Sequence, residues 1–374
     1  MIILRIGDAG MWVVAALTDA TTRRPGVFSI VVKRRILRRT RHPGNKLMHR
    51  ARLCHYLASL TLLLALSLGA TMPSAAQSWP TRPVKFILTL GPGSGADISA
   101  RLLADRLAEK WGQPIVIENK PGGDGIVAIN AFVSAQDDHV LLYGPSSSFI
   151  GHPYQHDTMP YNPADLAPIA RVSNTVVGIS VPASLPAKSL KEVVEAARAK
   201  PGQMNWAGLT GALDIMFESW LKSIGVDVKK VPYRNPVEAA NDLASGRVQI
   251  YESAYAIARP QIEAGKIRIL AVTNTARAET IPDIPTVAEA GFPALTMDGL
   301  VGLFGPPSMP MALRERIAAD IKAVMDSDAI IKNRLIVTAQ IPNPGGPAEF
   351  AKSIDEQRAV LAKSAKELGM PEKK

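Results

Sequence analysis

The chain is almost without cysteine. Its one thiol, Cys54, lies ahead of an apolar run rather than after it, which gives no support to lipid attachment. Beyond residue 76 there is no thiol, and disulfides, thiolate metal sites and cysteine nucleophiles are excluded there. Histidine is nearly as scarce. Only His139, His152 and His156 remain in that part, and none stands at ligand spacing to a second histidine or carboxylate. They read as surface residues, and no Ser–His–Asp constellation accompanies them. No metal and no cofactor is expected.

An excess of charge is missing as well. Residues 1–47 hold ten lysines and arginines against Asp8 and Asp19, and Arg50 and Arg52 follow. Residues 77–374 then balance at 31 basic and 31 acidic side chains. The net charge of +10 belongs to the N-terminal stretch, and the remainder has no electrostatic footprint for nucleic acid. Internal repeats and low-complexity tracts are absent.

What is present begins with a secretory signal inside the chain. Met48 is followed by His49, Arg50 and Arg52, then by an apolar stretch over 57–70, then by Ser74-Ala-Ala76. Basic, apolar and small-residue segments in that order are the pattern a signal peptidase reads. The apolar stretch falls short of the roughly 20 residues that span a bilayer, so a retained anchor is the weaker alternative. Residues 1–47 read either as a basic arm or as sequence upstream of an initiator at Met48; targeting segments belong at the N-terminus, which favours Met48. Residues 48–76 are then the signal peptide, the mature chain starts near Gln77, and its destination is the periplasm.

The mature chain alternates short β-rich runs with amphipathic helical stretches. Strands are expected at 84–90, 114–118, 140–143, 176–181, 204–207 and 267–272, with others starting at Val231 and over 248–251. Helices are expected at 97–111, 190–199, about 213–223, 313–325 and 347–368. Such alternation indicates α/β lobes built on largely parallel sheets.

Gly91-Pro-Gly-Ser-Gly-Ala96 fits G-x-G-x-x-A between a strand and a helix, with Glu118 at a following strand end. As a dinucleotide fingerprint it is poor. Pro92 removes an N–H, and Asp97 puts a carboxylate where a diphosphate would sit. The better reading is an anion site at a helix N-terminus, with Asp97 as its N-cap and glycines allowing close approach. A bare strand–helix turn without ligand is the other reading. Ser146, Ser147 and Ser148 follow a third strand, and Gly208-Leu-Thr-Gly-Ala212 follows a strand further on. Small and hydroxyl residues at several strand ends describe a cleft at the carboxyl edge of α/β sheets.

At these residues the sequence resembles the solute-binding receptors of tripartite tricarboxylate transporters, the Bug family. The matching stretches are Trp79-Pro-Thr-Arg-Pro83, residues 91–107, Gly112-Gln-Pro-Ile-Val-Ile-Glu-Asn-Lys-Pro-Gly122, Pro186-Ala-Lys-Ser-Leu190, Lys200-Pro-Gly-Gln-Met-Asn205, Val231-Pro-Tyr233, Ala264-Gly-Lys-Ile-Arg268 and residues 281–291. The resemblance implies a two-lobe α/β periplasmic binding protein of the Venus flytrap kind, with a ligand cleft between the lobes. One lobe would comprise 77–174 and 303–374, the other 175–302. It further implies a monomer that binds a small organic carboxylate and serves a membrane permease or a sensor, not an enzyme. An exported α/β enzyme acting on a small carboxylate is the rival reading. The implied ligand residues are Gly93, Ser94, Gly95, Ala96 and Asp97, then Ser146, Ser147 and Ser148, then Thr210, Gly211, Ala212, Asp214 and Ser253. The family pattern G-x-S-S-T-H stands here as Gly208-Leu-Thr-Gly-Ala-Leu-Asp214, and the aspartate frequent at the position of Ser253 is missing beside Glu252. Asp214 and Glu252 near the cleft would repel a second carboxylate and favour a donor or cationic group at the ligand's far end. Equally, both could point to solvent.

Overall fold

The computed structural model describes residues 2–6, 11–15, 79–208, 211–233 and 235–373. Residues 48–76, where the signal peptide is expected, and Thr210 lie outside them. The chain divides into two units, residues 1–76 and 77–374. In the first, β1 (Ile2–Ile6) pairs antiparallel with β2 (Met11–Ala15).

The second unit runs β3 (Val84–Leu88), α1 (Gly95–Trp111), β4 (Ile115–Asn119), α2 (Ile126–Ala135), β5 (Val140–Pro145), α3 (Ser146–Gln155) and β6 (Ala167–Thr175). It continues with β7 (Val177–Pro182), α4 (Leu190–Ala199), β8 (Met204–Ala207), α5 (Ala212–Ser223), β9 (Val228–Lys230), α6 (Pro236–Ala244), β10 (Ile250–Ala254), α7 (Tyr255–Glu263) and β11 (Ile267–Val272). It ends with β12 (Gly299–Gly305), α8 (Met311–Ser327), α9 (Ala329–Val337), β13 (Gln340–Gly345) and α10 (Pro347–Leu368). One sheet has the order β13-β6-β12-β5-β3-β4 and the other β11-β7-β10-β8-β9.

Both sheets are mixed, which corrects the expectation of largely parallel ones. β4, β3 and β5 are parallel, but β12 is antiparallel to β5 and β6, and β13 to β6. In the second sheet β7 is antiparallel to β10 and β11. The physical reason lies in the connections. β6 passes directly into β7 of the other sheet, with only Val176 between them, and β12 returns to the first sheet. Neither step is a helical crossover, so neither imposes parallel pairing. The strand expected from Val231 ends just before it, at Lys230.

Alternation on β3 feeds both faces of the first sheet. Val84, Phe86 and Leu88 pack with α1 and α8 through Leu103, Leu107, Ile317 and Ile321, while Ile87 packs with Phe149, Phe304 and Phe350 on the opposite face. That second cluster also contains Ala212, Leu213 and Met216 of α5. A helix that follows a strand of the second sheet is thereby packed into the core of the first. The two connections are tied together by buried Asn274. Its Oδ1 accepts from the Val177 N–H (3.1 Å), and its Nδ2 donates to the Thr175 carbonyl (2.9 Å).

Among the described residues no helix is long and apolar enough to cross a membrane.

Candidate functional site

β3 and β5 lie side by side and parallel, with Leu88 opposite Tyr143, so the chain leaves both at the same edge and enters α1 and α3 there. At α1 the N-cap is Ser94, whose Oγ accepts from the Asp97 N–H (3.2 Å). This corrects the assignment of Asp97 as the cap. The Asp97 carboxylate is buried within the loop. It accepts from the Gly93 N–H (2.9 Å), from Arg101 Nε (3.0 Å) and from Asn119 Nδ2 (2.9 Å). Burial works against its charge, but these bonds outweigh it and hold the carboxyl below the usual range. Asp97 therefore rigidifies the loop and spends its charge on Arg101. Gly93, with φ +81°, supplies the left-handed turn. Gly95 and Ala96 open the helix with N–H groups that have no intrahelical partner. Gly95 is required for another reason: a Cβ there would overlap the side-chain amide of Gln340. Buried Gln340 is itself fixed by the Ser173 hydroxyl (3.0 Å) and by Thr175.

Ser146, Ser147 and Ser148 form the first turn of α3, all buried. Its N-cap, Pro145, makes no side-chain cap bond. Ser148 Oγ donates to Asp124 Oδ1 (2.8 Å), and Ser146 Oγ to Gln357 (3.4 Å). His152, one turn on, is fully buried. Its Nε2 lies 3.2 Å from the Asp124 carbonyl, which can only accept, so Nε2 donates and Nδ1 accepts from the Tyr161 hydroxyl at 2.7 Å.

From the other sheet, α5 begins at Gly211 (φ +78°), again with no side-chain cap. Ser147 packs against the Gly211 backbone, so the loops after β5 and β8 meet. Ala212 and Asp214 are buried in this first turn. Asp214 pairs with Lys230, which also lies 5.3 Å over the ring of Trp206. Burial pushes the Asp214 carboxyl up to about 6 despite Lys230. Ser253 is buried on β10, and the neighbouring Glu252 is completely buried. Alternation sends the two to opposite faces of the strand. Burial, reinforced by Asp214, raises the Glu252 carboxyl well above its ordinary value. The solvent-facing alternative for Asp214 and Glu252 is thus overturned.

So is the surface placement of two histidines. His139 and His152 are buried because each ring has both nitrogens bonded, His139 to Asp138 (2.6 Å) and to the Thr81 N–H (3.1 Å). Asp137, Asp138 and His139 do cluster within 4.8 Å, contrary to the expectation of no ligand spacing. The His139 ring nitrogens are nonetheless engaged. Sequence reasoning missed Asp124, His152, Lys230 and Gln340. None left a trace in the spacing: Lys230 ends a strand opposite Trp206 of β8, where the expected strand began only at Val231.

The family described as tripartite tricarboxylate transporter family receptor matches residues 99–356. A UPF0065 protein of Bordetella bronchiseptica is 30% identical over 327 residues, 83% of this chain and 95% of its own length. Among solved structures, an R. palustris protein with adipate is 28% identical with TM-score 0.69, covering 78% of this chain and 99% of that one. The periplasmic binding protein BugD, 23% identical, shares the fold with TM-score 0.64, covering 79% of this chain and all of its own. With the paired sheets, the glycine loop of α1 and the serine turn of α3 in that arrangement, the chain belongs to the receptor family of the tripartite tricarboxylate transporters.

Proposed function

We propose that this protein is a non-enzymatic periplasmic receptor that captures a small organic carboxylate and presents it to a membrane permease or a sensor. The observation that carries the reading is the meeting of helix N-termini from both sheets. α1 and α3 start at neighbouring strand ends, and α5 starts against Ser147 from the other side. Helix N-termini present N–H groups and about half a positive charge to an anion. The R. palustris relative solved with adipate supports the same ligand class.

In this reading the carboxylate docks first on the loop of Gly93, Ser94, Gly95 and Ala96 beside Ser146, Ser147 and Ser148. Thr210, Gly211, Ala212 and Ser253 then engage the far end from the side of the second sheet. Asp97 stays behind the loop as its brace. Micromolar affinity requires about 8 kcal/mol, and hydrogen bonds to a charged group contribute roughly 1.5–3 kcal/mol each. Three to five such bonds with some apolar burial are enough.

The test is a thermal-shift screen of purified residues 77–374 against organic acids, followed by recovery of the ligand. A bound acid at 100 times its Kd adds about 2.7 kcal/mol of stability and returns chemically unchanged. Turnover of a carboxylate would overturn the receptor reading.

A further inference from the structure

Among the described residues of the second sheet's half, three carboxyl oxygens are buried without a hydrogen-bond partner: both of Glu252 and Oδ1 of Asp214. They belong to one place. β10 runs parallel to β8 with Ile250 opposite Trp206 and Tyr251 opposite Ala207, which sets Glu252 level with Gly208. Asp214 reaches back from the first turn of α5 over Gly208, where a Cβ would collide with that same Oδ1. Lys230 bonds the other oxygen of Asp214 and offsets its charge. Among the described residues Glu252 has no comparable counter-charge in contact. Buried polar atoms are normally bonded, and exceptions call for an occupant.

Resting on the receptor reading above, but with the ligand's far end met on the Glu252 face of β10 instead of the Ser253 face, we propose that Glu252 and Asp214 form the far-end subsite for an ammonium group, so that the ligand is a zwitterion with its carboxylate on the α1 and α3 loops. The count of donors decides among candidates. An ammonium brings three N–H donors to three open oxygens and a positive charge to an uncompensated acid. A hydroxyl brings one donor. A second carboxylate brings none and faces Asp214.

The proton balance follows from the same groups. Glu252 faces Asp214 and Lys230, and Asp214 also feels Glu218 and Asp124. In the empty site burial shifts Glu252 toward its protonated form. When the ammonium enters, that proton leaves the carboxyl for solvent, and the ligand nitrogen keeps its own. Binding should therefore release protons.

Titration calorimetry on the purified chain at pH 7 tests this with acids of equal length: pentanoate and hexanoate, their ω-amino derivatives, and the dicarboxylates glutarate and adipate. The amino acids should bind at least tenfold tighter than the plain acids. They should release protons, read from heats in buffers of different ionisation enthalpy. Glu252→Gln should erase the tenfold preference and the proton release. Asp214→Asn should reduce the preference partly and serves as the second variant if Glu252→Gln fails to fold. Tighter binding of the dicarboxylates, or an undiminished preference in Glu252→Gln, would overturn the subsite and leave the carboxylate receptor standing. Binding of none of these acids, with none found in the wider screen, would take both readings down.

Discussion

Gly151 of α3 and Gly211 at the start of α5 touch backbone to backbone. A methyl group on Gly151 would stand 2.8 Å from the Gly211 Cα and the Ala212 nitrogen, and one on Gly211 would stand 2.6 Å from the Ser147 carbonyl oxygen. Two chains this close leave no room for any side chain, and the glycines set how near the two halves of the site come.

Gly151→Ala should therefore hold the halves apart. Gly151 is helical, so the added methyl brings no backbone penalty of its own. Forcing a methyl into a filled contact costs about 1–3 kcal/mol, which corresponds to at least about fivefold in affinity. Small-angle scattering should show a larger radius of gyration in saturating ligand than for the native chain. Identical profiles and affinities would refute the role of this contact. Buried Trp206, linked to α5 through Lys230 and Phe217, should report the same closure as a change in fluorescence, smaller in the variant.

Ser94→Ala removes the cap of α1. Loss of a serine cap costs about 1 kcal/mol, and urea unfolding should show a loss of that size. Affinity for carboxylates should change less than threefold, because backbone N–H groups and not the hydroxyl face the anion. A large loss of affinity at unchanged stability would make Ser94 a direct ligand contact.

Gly95→Ala should destabilise the fold by displacing the Gln340 amide from Ser173 and Thr175. The cost should be about 1–3 kcal/mol, as for other buried hydrogen bonds broken on one side. Gln340→Ala in the same chain should relieve much of it, because the steric conflict disappears. The double-mutant cycle measured by chemical unfolding tests this directly; additive losses would mean the two residues do not conflict. A bulkier residue at Gly95 thus tests packing before it tests anion approach.

The pH dependence of stability carries the mark of Asp214. Its carboxyl stands near 6 in the folded protein and near 4 unfolded, so the folded state binds the proton more tightly. Its contribution is full below about pH 4 and is lost as pH rises through about 6, amounting to up to about 3 kcal/mol. Glu252, raised by its own burial, acts in the same sense. Asp214→Asn should lose less stability than the native chain between pH 4 and pH 6. Parallel curves from urea unfolding at each pH would contradict the buried placement.

Much of the fold was legible because its strands are local apolar runs. Met204–Ala207, Ile267–Val272 and the helices Leu190–Ala199 and Pro347–Leu368 fall where their patterns put them. β13 was not legible. Gln340-Ile-Pro-Asn-Pro-Gly345 contains two prolines and reads as loop, yet an edge strand with an irregular register tolerates them. α2 escaped because only Asn130 and Ser134 mark its outer face with polar side chains, while Val127 on that side is apolar and exposed. At the site, the loops announced themselves by glycine and serine at strand ends. The bond that ties Asp97 to Arg101, the burial of Glu252 and the packing of Gln340 on Gly95 did not. Each depends on a side chain brought in by a distant element, for which residue spacing carries no signal.

The strand order also dictates a sequence of events in biosynthesis. β12, from Gly299, sits between β6 and β5 in the interior of the first sheet, yet it emerges only after every strand of the second sheet. Until then β5 and β6, successive strands joined through α3, have an empty slot between them. The second sheet is complete by Val272 and can gather its core first. The first becomes a sheet only when a strand made later inserts at its centre. A chain truncated before residue 299 should hence keep the later-numbered sheet and lack the earlier-numbered one, an inversion of the order in which their residues are made.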